Sequence, residues 1–398
     1  MPDGISGLMF LMTNTETRPS PAGSVRSLYT REYVKRISVI GILLILLIAA
    51  AILSTGIGTV PISPQDTVLA IAHSSAQAIR SLLSSAIPGA ETWYDAHFPA
   101  IPVPSNPQAE LIVTGYRLPR IFLAILTGIS LAVAGAVMQG LLRNPLVSPF
   151  TLGLSSAASF GAALAIVIGP GTAAALIGYD LFIIIMAFLF GWLSMLLVYW
   201  ISRSRGTTQS TLILAGVVIG YLFTAGVMAL KYITNNEKLR ELMVWLMGGM
   251  WGASWNAVLL LIPLVLVCVV LLERMAWDLN ALSAGDDVAK NLGINVGRLR
   301  LSGLMISTFA ASCCLAFTGI IGFIGLMGPH ICRMIIGNDH RYLIPCSALM
   351  GASILLVSDT AARTVMSPIE IPVGIIMYVI GGIFFLFLIL RARGRGLY

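Results

Sequence analysis

Ten stretches of this chain are too apolar to sit in water and long enough to cross a bilayer, and that pattern fixes most of what it can fold into. They fall at 37–56, 121–142, 154–169, 174–201, 211–230, 255–272, 299–317, 323–336, 343–362 and 372–390. A helix needs about 20 apolar residues to traverse a hydrocarbon core about 30 Å thick, and lipid offers no partner for a free backbone group. Only 10% of residues are charged and 57% are hydrophobic, whereas a soluble surface needs about a quarter charged. The expectation is an all-α polytopic membrane protein of about ten transmembrane helices. Residues 1–36 form a disordered cytoplasmic tail, 37–398 one membrane domain, and the proline-rich stretch 57–116 an external loop. The run after Arg36 lacks a small-residue cleavage site, so the first span stays uncleaved.

The formal charge of +7 raises the question of nucleic acid, and the positions of the basic residues answer it. They sit at helix ends, with no basic stripe interleaved with aromatics, as the positive-inside rule requires. Placing Arg31, Lys35 and Arg36 inside and alternating sides leaves seventeen Lys and Arg in the cytoplasm and seven outside. An even number of spans in a cell membrane, with both termini cytoplasmic, follows. The five cysteines show no metal-ligand spacing and read as buried apolar residues.

No enzymatic constellation is present: there is no HExxH and no GxSxG. No GxxxxGK[ST] phosphate loop occurs either, so any ATP coupling has to come through another subunit. No cofactor or metal is expected on this chain. His330 reads as a satisfied buried imidazole. Asp359 is the one acid well inside a span, and an intramembrane carboxylate is a transport-site hypothesis by default. An ion pair with Arg363, one turn on, is the simpler account. Gly216, Gly220 and Thr224 make a stripe of small residues at helical spacing, as do Ala124, Gly128 and Ala132. Close helix packing explains such stripes. The sharper expectation for the Gly216 stripe is a pathway wall, because a bulky solute needs a lining without large side chains.

Two segments depart from simple hairpins. ELMVWLMGGMWGASW, 241–255, is apolar but broken by glycines, which suits a half-helix packed on protein at the outer mouth. LNALSAGDDVAKNLGINVGRLR, 279–300, places Gly285 between two short helical patterns. Asp286 is expected as N-cap, Asp287 in the first turn, Lys290 near the last and Gly293 as C-cap, each charge complementing the dipole of a very short helix. A loop built to be ordered meets a partner, although an amphipathic connector on the lipid surface is the plainer reading.

From Arg117, RLPRIFLAILTGISLAVAGAVMQGLLRNPLVSPFTLGLSSAASFGA resembles the permeases of ATP-binding-cassette importers for iron siderophores, haem and cobalamin. The resemblance continues through VWLMGGMWGASW, LNALSAGDDVAKNLGINVGRLRL, GIIGFIGLMGPHICRMIIGNDHRYLIP, SDTAAR and EIPVGIIMYVIGGIFFLFLILR. It implies a type II importer permease fold with ten spans, a homodimer enclosing the pathway, two cytoplasmic ATPase subunits carrying ATP and Mg, and an external substrate-binding protein. The segment 279–293 would supply the coupling helices on the ATPase, with Leu282, Ser283, Gly285, Asp286, Asp287, Lys290 and Gly293 at the contact. Arg117, Arg120 and Arg363 match the outer arginines that hold the binding protein, though interfacial anchoring also accounts for them. The stretch 57–116 is longer than the family's usual connection, and Trp93 to Phe98 are candidates for touching the binding protein. The resemblance does not choose the chelate; iron chelates rank slightly ahead of cobalamin. The reading of a different class is an ion-coupled secondary carrier with Asp359 as its ion site, for which a second, symmetry-related acid is missing.

Overall fold

The computed structural model describes residues 21–87, 90–98, 101–169, 171, 176–204 and 208–392. The first twenty residues, and Arg205, Arg393 and Arg395 of the cytoplasmic set, lie outside the described residues. Among the described residues all regular structure is helical. Helix α1 (Pro21–Gly56) begins well before the expected span, so 21–36 is helix and not disordered tail. Pro21 occupies the first turn, where a missing N–H costs nothing, and no second proline interrupts the helix.

The stretch expected as an external loop carries α2 (Pro64–Ala86), α3 (Ala90–His97) and a π-helical turn, Leu111–Arg117, that runs directly into α4 (Leu118–Leu141). Ser63 caps α2: its hydroxyl accepts from the Asp66 N–H at 3.0 Å and donates to the Asp66 carboxylate at 2.9 Å. After a 3-10 turn at Phe150–Leu152 come α5 (Leu154–Ile168), α6 (Tyr179–Ser204), α7 (Gln209–Ile233) and α8 (Asn236–Met247). The remainder is α9 (Trp255–Arg274), α10 (Ala276–Ser283), α11 (Asp286–Asn291), α12 (Val296–Thr318), α13 (Ile324–Ile336), α14 (His340–Thr364) and α15 (Val373–Ala392).

Eight of these helices are long and apolar enough to span, and α5 and α13 are shorter apolar helices of 15 and 13 residues. Together they account for the ten apolar runs. At 1.5 Å per residue the two short ones reach only about 20–23 Å of the roughly 30 Å needed. Each is preceded by backbone that is not α-helical and is buried in protein, with Leu152 and Ile321 at 2% and 0% exposure, a setting in which such backbone is tolerated at membrane depth. Half-helix α8 is as expected: Asn235 caps it at 3.0 Å, and it ends at Gly248, whose φ of +69° a side chain would strain.

Helix α4 is the centre of the bundle, with Leu123, Ala124, Ala132, Val133 and Met138 fully buried. A Cβ on Gly128 would come within 2.5 Å of the Gly351 carbonyl on α14, and one on Gly135 would overlap Gly325 of α13. Helices in lipid gain little from apolar burial against each other, so backbone approach of this kind supplies the attraction. The Ala124, Gly128 and Ala132 stripe is therefore packing. Gly128→Leu would force α4 and α14 apart.

Candidate functional site

Functional side chains gather at the two ends of α14. At its C-terminal end Asp359 is fully buried. Arg120 of α4 forks onto it: Nε donates to both carboxylate oxygens at 3.1 Å, and Nη2 donates to Oδ1 at 3.0 Å. Its Nη1 donates to Glu370 at 2.7 Å. Arg363 stands one helical turn past Asp359, with Nε 3.3 Å from Oδ2, so the local ion pair read from the sequence is present. What the sequence did not disclose is the second guanidinium, brought in from another helix.

Arg363 also donates to the Ser54 hydroxyl at 2.7 Å and to the Ile57 carbonyl at 3.4 Å. Arg117 has its own task. It donates to the carbonyls of Thr55 (2.8 Å), Gly56 (3.2 Å) and Val60, satisfying acceptors that the end of α1 leaves open. Gly58 permits this, since a Cβ there would lie 2.7 Å from Arg117 Nη2. All three arginines expected at the docking rim thus share one end of the bundle. Arg117 and Arg363 are 5% and 3% exposed, with their guanidinium groups spent on the chain itself, and Arg120 with Glu370 forms the outer edge.

At the other end Asp339 precedes α14 and accepts from three elements: Arg36 of α1 at 3.1 Å, Asn280 of α10 at 2.7 Å, and Arg341 at 2.6 Å. Burial pushes its carboxyl up, but the bonds from Arg341 and Asn280 outweigh that and hold it at about 2. The Asn280 side-chain oxygen accepts the His340 N–H at 2.8 Å, so α10 is fastened to the first turn of α14. Sequence reasoning passed over Asn280 and Asp339. Asp339 carries a local signal, an acid before a helix, while its partner 59 residues away carries none.

The candidate coupling segment is two helices with their inner faces sealed. Leu279, Leu282 and Ala289 are fully buried, while Ser283, Asp287, Lys290 and Gly293 face out. Gly285 turns the chain at φ +126°, ψ 153°, a conformation open essentially to glycine alone. It, and not Asp286, is the N-cap. Asp286 is the first helical residue, and its carboxylate pairs with Arg300, 2.9 Å away, with Arg143 at 4.0 Å. Asp287 and Lys290 pair at 3.3 Å as an exposed i, i+3 bridge. Gly293 lies one position past the Leu292 cap: its N–H donates to Lys290 and that of Ile294 to Ala289, a Schellman closure. Val288 and Leu292, one turn apart, are 45% and 66% exposed, an apolar pair the sequence reading did not single out.

The third expectation needs correction. Gly216 and Gly220 of α7 face their own chain: a Cβ on Gly216 would sit 2.8 Å from the Leu152 backbone, and one on Gly220 3.3 Å from Gly153. Thr224 donates to the Ser156 hydroxyl of α5 at 3.0 Å. The stripe is consumed by packing on α5 and the turn before it, and the face left open on α7 is the opposite one, with Leu214, Val218, Tyr221 and Met228. His330 rests edge-on against Phe384 and Phe385 and is only half-buried, with its enclosed Nδ1 unpartnered, so the expected satisfied buried imidazole is not what the structure shows. The five cysteines are buried and free, and among the described residues no cluster could hold a metal ion.

Residues 44–391 match the model of the FecCD transport family. The hemin transport system permease HmuU of Yersinia pestis is 41% identical over 277 residues, covering 70% of this chain and 82% of its own. The Fe(3+)-citrate import permease YfmE of Bacillus subtilis is 35% identical over 363 residues, 90% and 97% of the two chains. A solved inward-facing structure assigned to a metal-chelate type ABC transporter superposes with a TM-score of 0.72 at 32% identity, covering 89% of this chain and 99% of the other.

Proposed function

The chain belongs to the FecCD transport family, and on that premise we propose that it is the membrane permease of an ATP-binding-cassette importer for a metal chelate, with ferric siderophore or haem ahead of cobalamin. It does no covalent chemistry. Two copies enclose the pathway, two cytoplasmic ATPase subunits bind ATP and Mg, and an external binding protein delivers the cargo. Both termini are cytoplasmic.

The observation that carries the ATPase partnership is the α10–α11 pair. A short two-helix segment between two spans is braced from beneath by Leu279, Leu282 and the Asp286–Arg300 bridge, and it presents Asp287, Val288, Lys290 and Leu292 outward. Such bracing is expected of a surface that must transmit force. Movement of α10 reaches α14 through Asn280, Asp339 and His340, and the dimer interface is the two-state element that ATPase closure biases. The open face of α7 is offered to the pathway in place of the Gly216 stripe. The binding protein docks at the Asp359 end, where Arg120 and Glu370 form the rim while Arg117 and Arg363 fix the end of α1 behind it.

The secondary-carrier reading loses its support. Both carboxylate oxygens of Asp359 are taken up by Arg120 and Arg363 as a tie between α4 and α14, and the family and its relatives are transport permeases of the ATP-binding-cassette type. Vesicles containing this chain with its ATPase and binding protein are expected to take up one of labelled ferric siderophore, haem or cobalamin only with ATP. Uptake that follows a proton gradient without the ATPase would sink the proposal.

A further inference from the structure

Helix α2 carries an apolar stripe that the protein covers only in part. At 100° per residue, Val68, Ile71, Ala72, Ile79, Leu82 and Leu83 fall within about 120° of its circumference, an apolar stripe of ordinary width. In an external loop that stripe should turn to the protein body and the polar side to solvent. The stripe does so only in part. His73 and Ser74, on the polar side, turn toward the π-helical turn, where His73 Nδ1 lies 3.2 Å from Glu110 and Ser74 donates to Glu110 at 2.6 Å. On the apolar side Val68 is 66% exposed, Ile79 50% and Leu82 68%.

What covers that stripe is indicated by its neighbours. Val68 and Ile71 roof an apolar cavity of about 850 Å³, whose other walls include Ile52 and Leu53 of α1 and Phe122 and Ile125 of α4. Ile52 and Leu53 continue the outward apolar surface of the first span with Ile45 and Ile48, all more than half exposed, and for a membrane-spanning helix that surface is lipid. The exposed stripe of α2 is therefore continuous, through the cavity, with lipid-facing surface, and it carries no charged residue. In the neighbouring element Trp93 of α3 and Phe98, just past its end, are in edge contact with ring centroids 6.1 Å apart and are each about half exposed. Aromatic rings of this kind favour the headgroup level.

We propose that α2 is an interfacial helix lying on the outer leaflet, with Val68, Ile79 and Leu82 immersed in lipid and an acyl chain filling the cavity beneath Val68 and Ile71. Contact with lipid stands on the geometry alone; only the choice of outer leaflet rests on the proposed function. A protein partner is the less fitting occupant, because the stripe ends in bilayer surface and not in a polar rim.

The test uses the full chain in nanodiscs of phosphatidylethanolamine and phosphatidylglycerol, spin-labelled at Leu82→Cys on the apolar side or Gln77→Cys on the polar side; the five native cysteines are buried. The label at 82 is expected about 5–10 Å below the phosphates, with an oxygen-to-nickel-chelate accessibility ratio several-fold above that at 77. Equal access of the nickel chelate to both sites would place the stripe in water and overturn the proposal. Protection of 82 only after the external binding protein is added would overturn it in favour of a protein contact, and dipolar broadening between two labels at 82 in favour of a second copy. Failure of ATP-driven uptake with 82 in lipid would remove the proposed function and leave this inference standing.

Discussion

The two ends of α14 each hold a carboxylate that ties several helices together, yet the two knots differ in what they can transmit. Asp359 is fully enclosed, and its partners Arg120 and Arg363 belong to long spanning helices. Asp339 keeps a side-chain exposure of 15% and takes one of its bonds from Asn280 on the short helix α10. A dry ion pair between long helices is costly to open, so the first knot fixes geometry. The second joins an element that has little membrane of its own to hold it, so it passes on that element's displacement.

The contrast predicts unequal losses. Asp359→Asn leaves the buried Arg363 without its counter-charge and Arg120 with Glu370 alone, and breaking a buried pair from one side costs about 3–5 kcal/mol. The variant is expected to unfold at markedly lower temperature in detergent, with or without ATPase present. Wild-type stability in D359N would mean that water or Glu370 already balances the arginines, and the outer knot would cease to be a fixed tie.

Asp339→Asn is expected to cost less and to depend on pH. The folded carboxyl is held at about 2, below its ordinary value of 3.8, so its contribution, about 2 kcal/mol at most, is present above about pH 4. It is lost as pH falls toward 2. Thermal melts of the wild type and D339N should therefore be separated at neutral pH and draw together in acid. A gap that stays constant down to pH 2 would show that the charge of Asp339 is not what its partners use. If α10 and α11 are the coupling segment, the transport loss should exceed the stability loss, because Asn280 links this carboxylate to α10.

How much of this was legible beforehand depends on chain separation. The ten apolar runs, the half-helix before Gly248, the paired helices around Gly285 and the Asp359–Arg363 contact are local patterns, each contained within a few turns, and each is where the sequence suggests. The contacts that organise the site join residues 239 apart, Arg120 to Asp359, or 59 apart, Asn280 to Asp339, and no periodicity reports them. The Gly216 stripe shows the complementary limit: spacing says that small residues share a face, but what that face meets depends on where the turn at Phe150–Leu152 places Gly153. The apolar stripe of α2 went unread within a stretch that showed only as a proline-rich loop, and its direction depends on the seating of His73 and Ser74 on Glu110.

The smallest expected effect sharpens the comparison most, because it separates stability from partnership. Lys290 and Asp287 form an exposed pair, with side chains 62% and 94% accessible, and such i, i+3 bridges contribute about 0.2–0.5 kcal/mol. Lys290→Ala should leave the melting temperature of the isolated permease nearly unchanged. If the outward face of α11 meets the ATPase, the same change removes a charge from the interface, and ATPase affinity should fall by more than the stability change implies, with the difference shrinking in high salt. An affinity loss no larger than the stability loss would move the contact from the charged pair to Val288 and Leu292. The force would then enter through an apolar edge one turn wide, and the bracing of α11 by Asp286 and Arg300 would matter more than any charge that α11 presents.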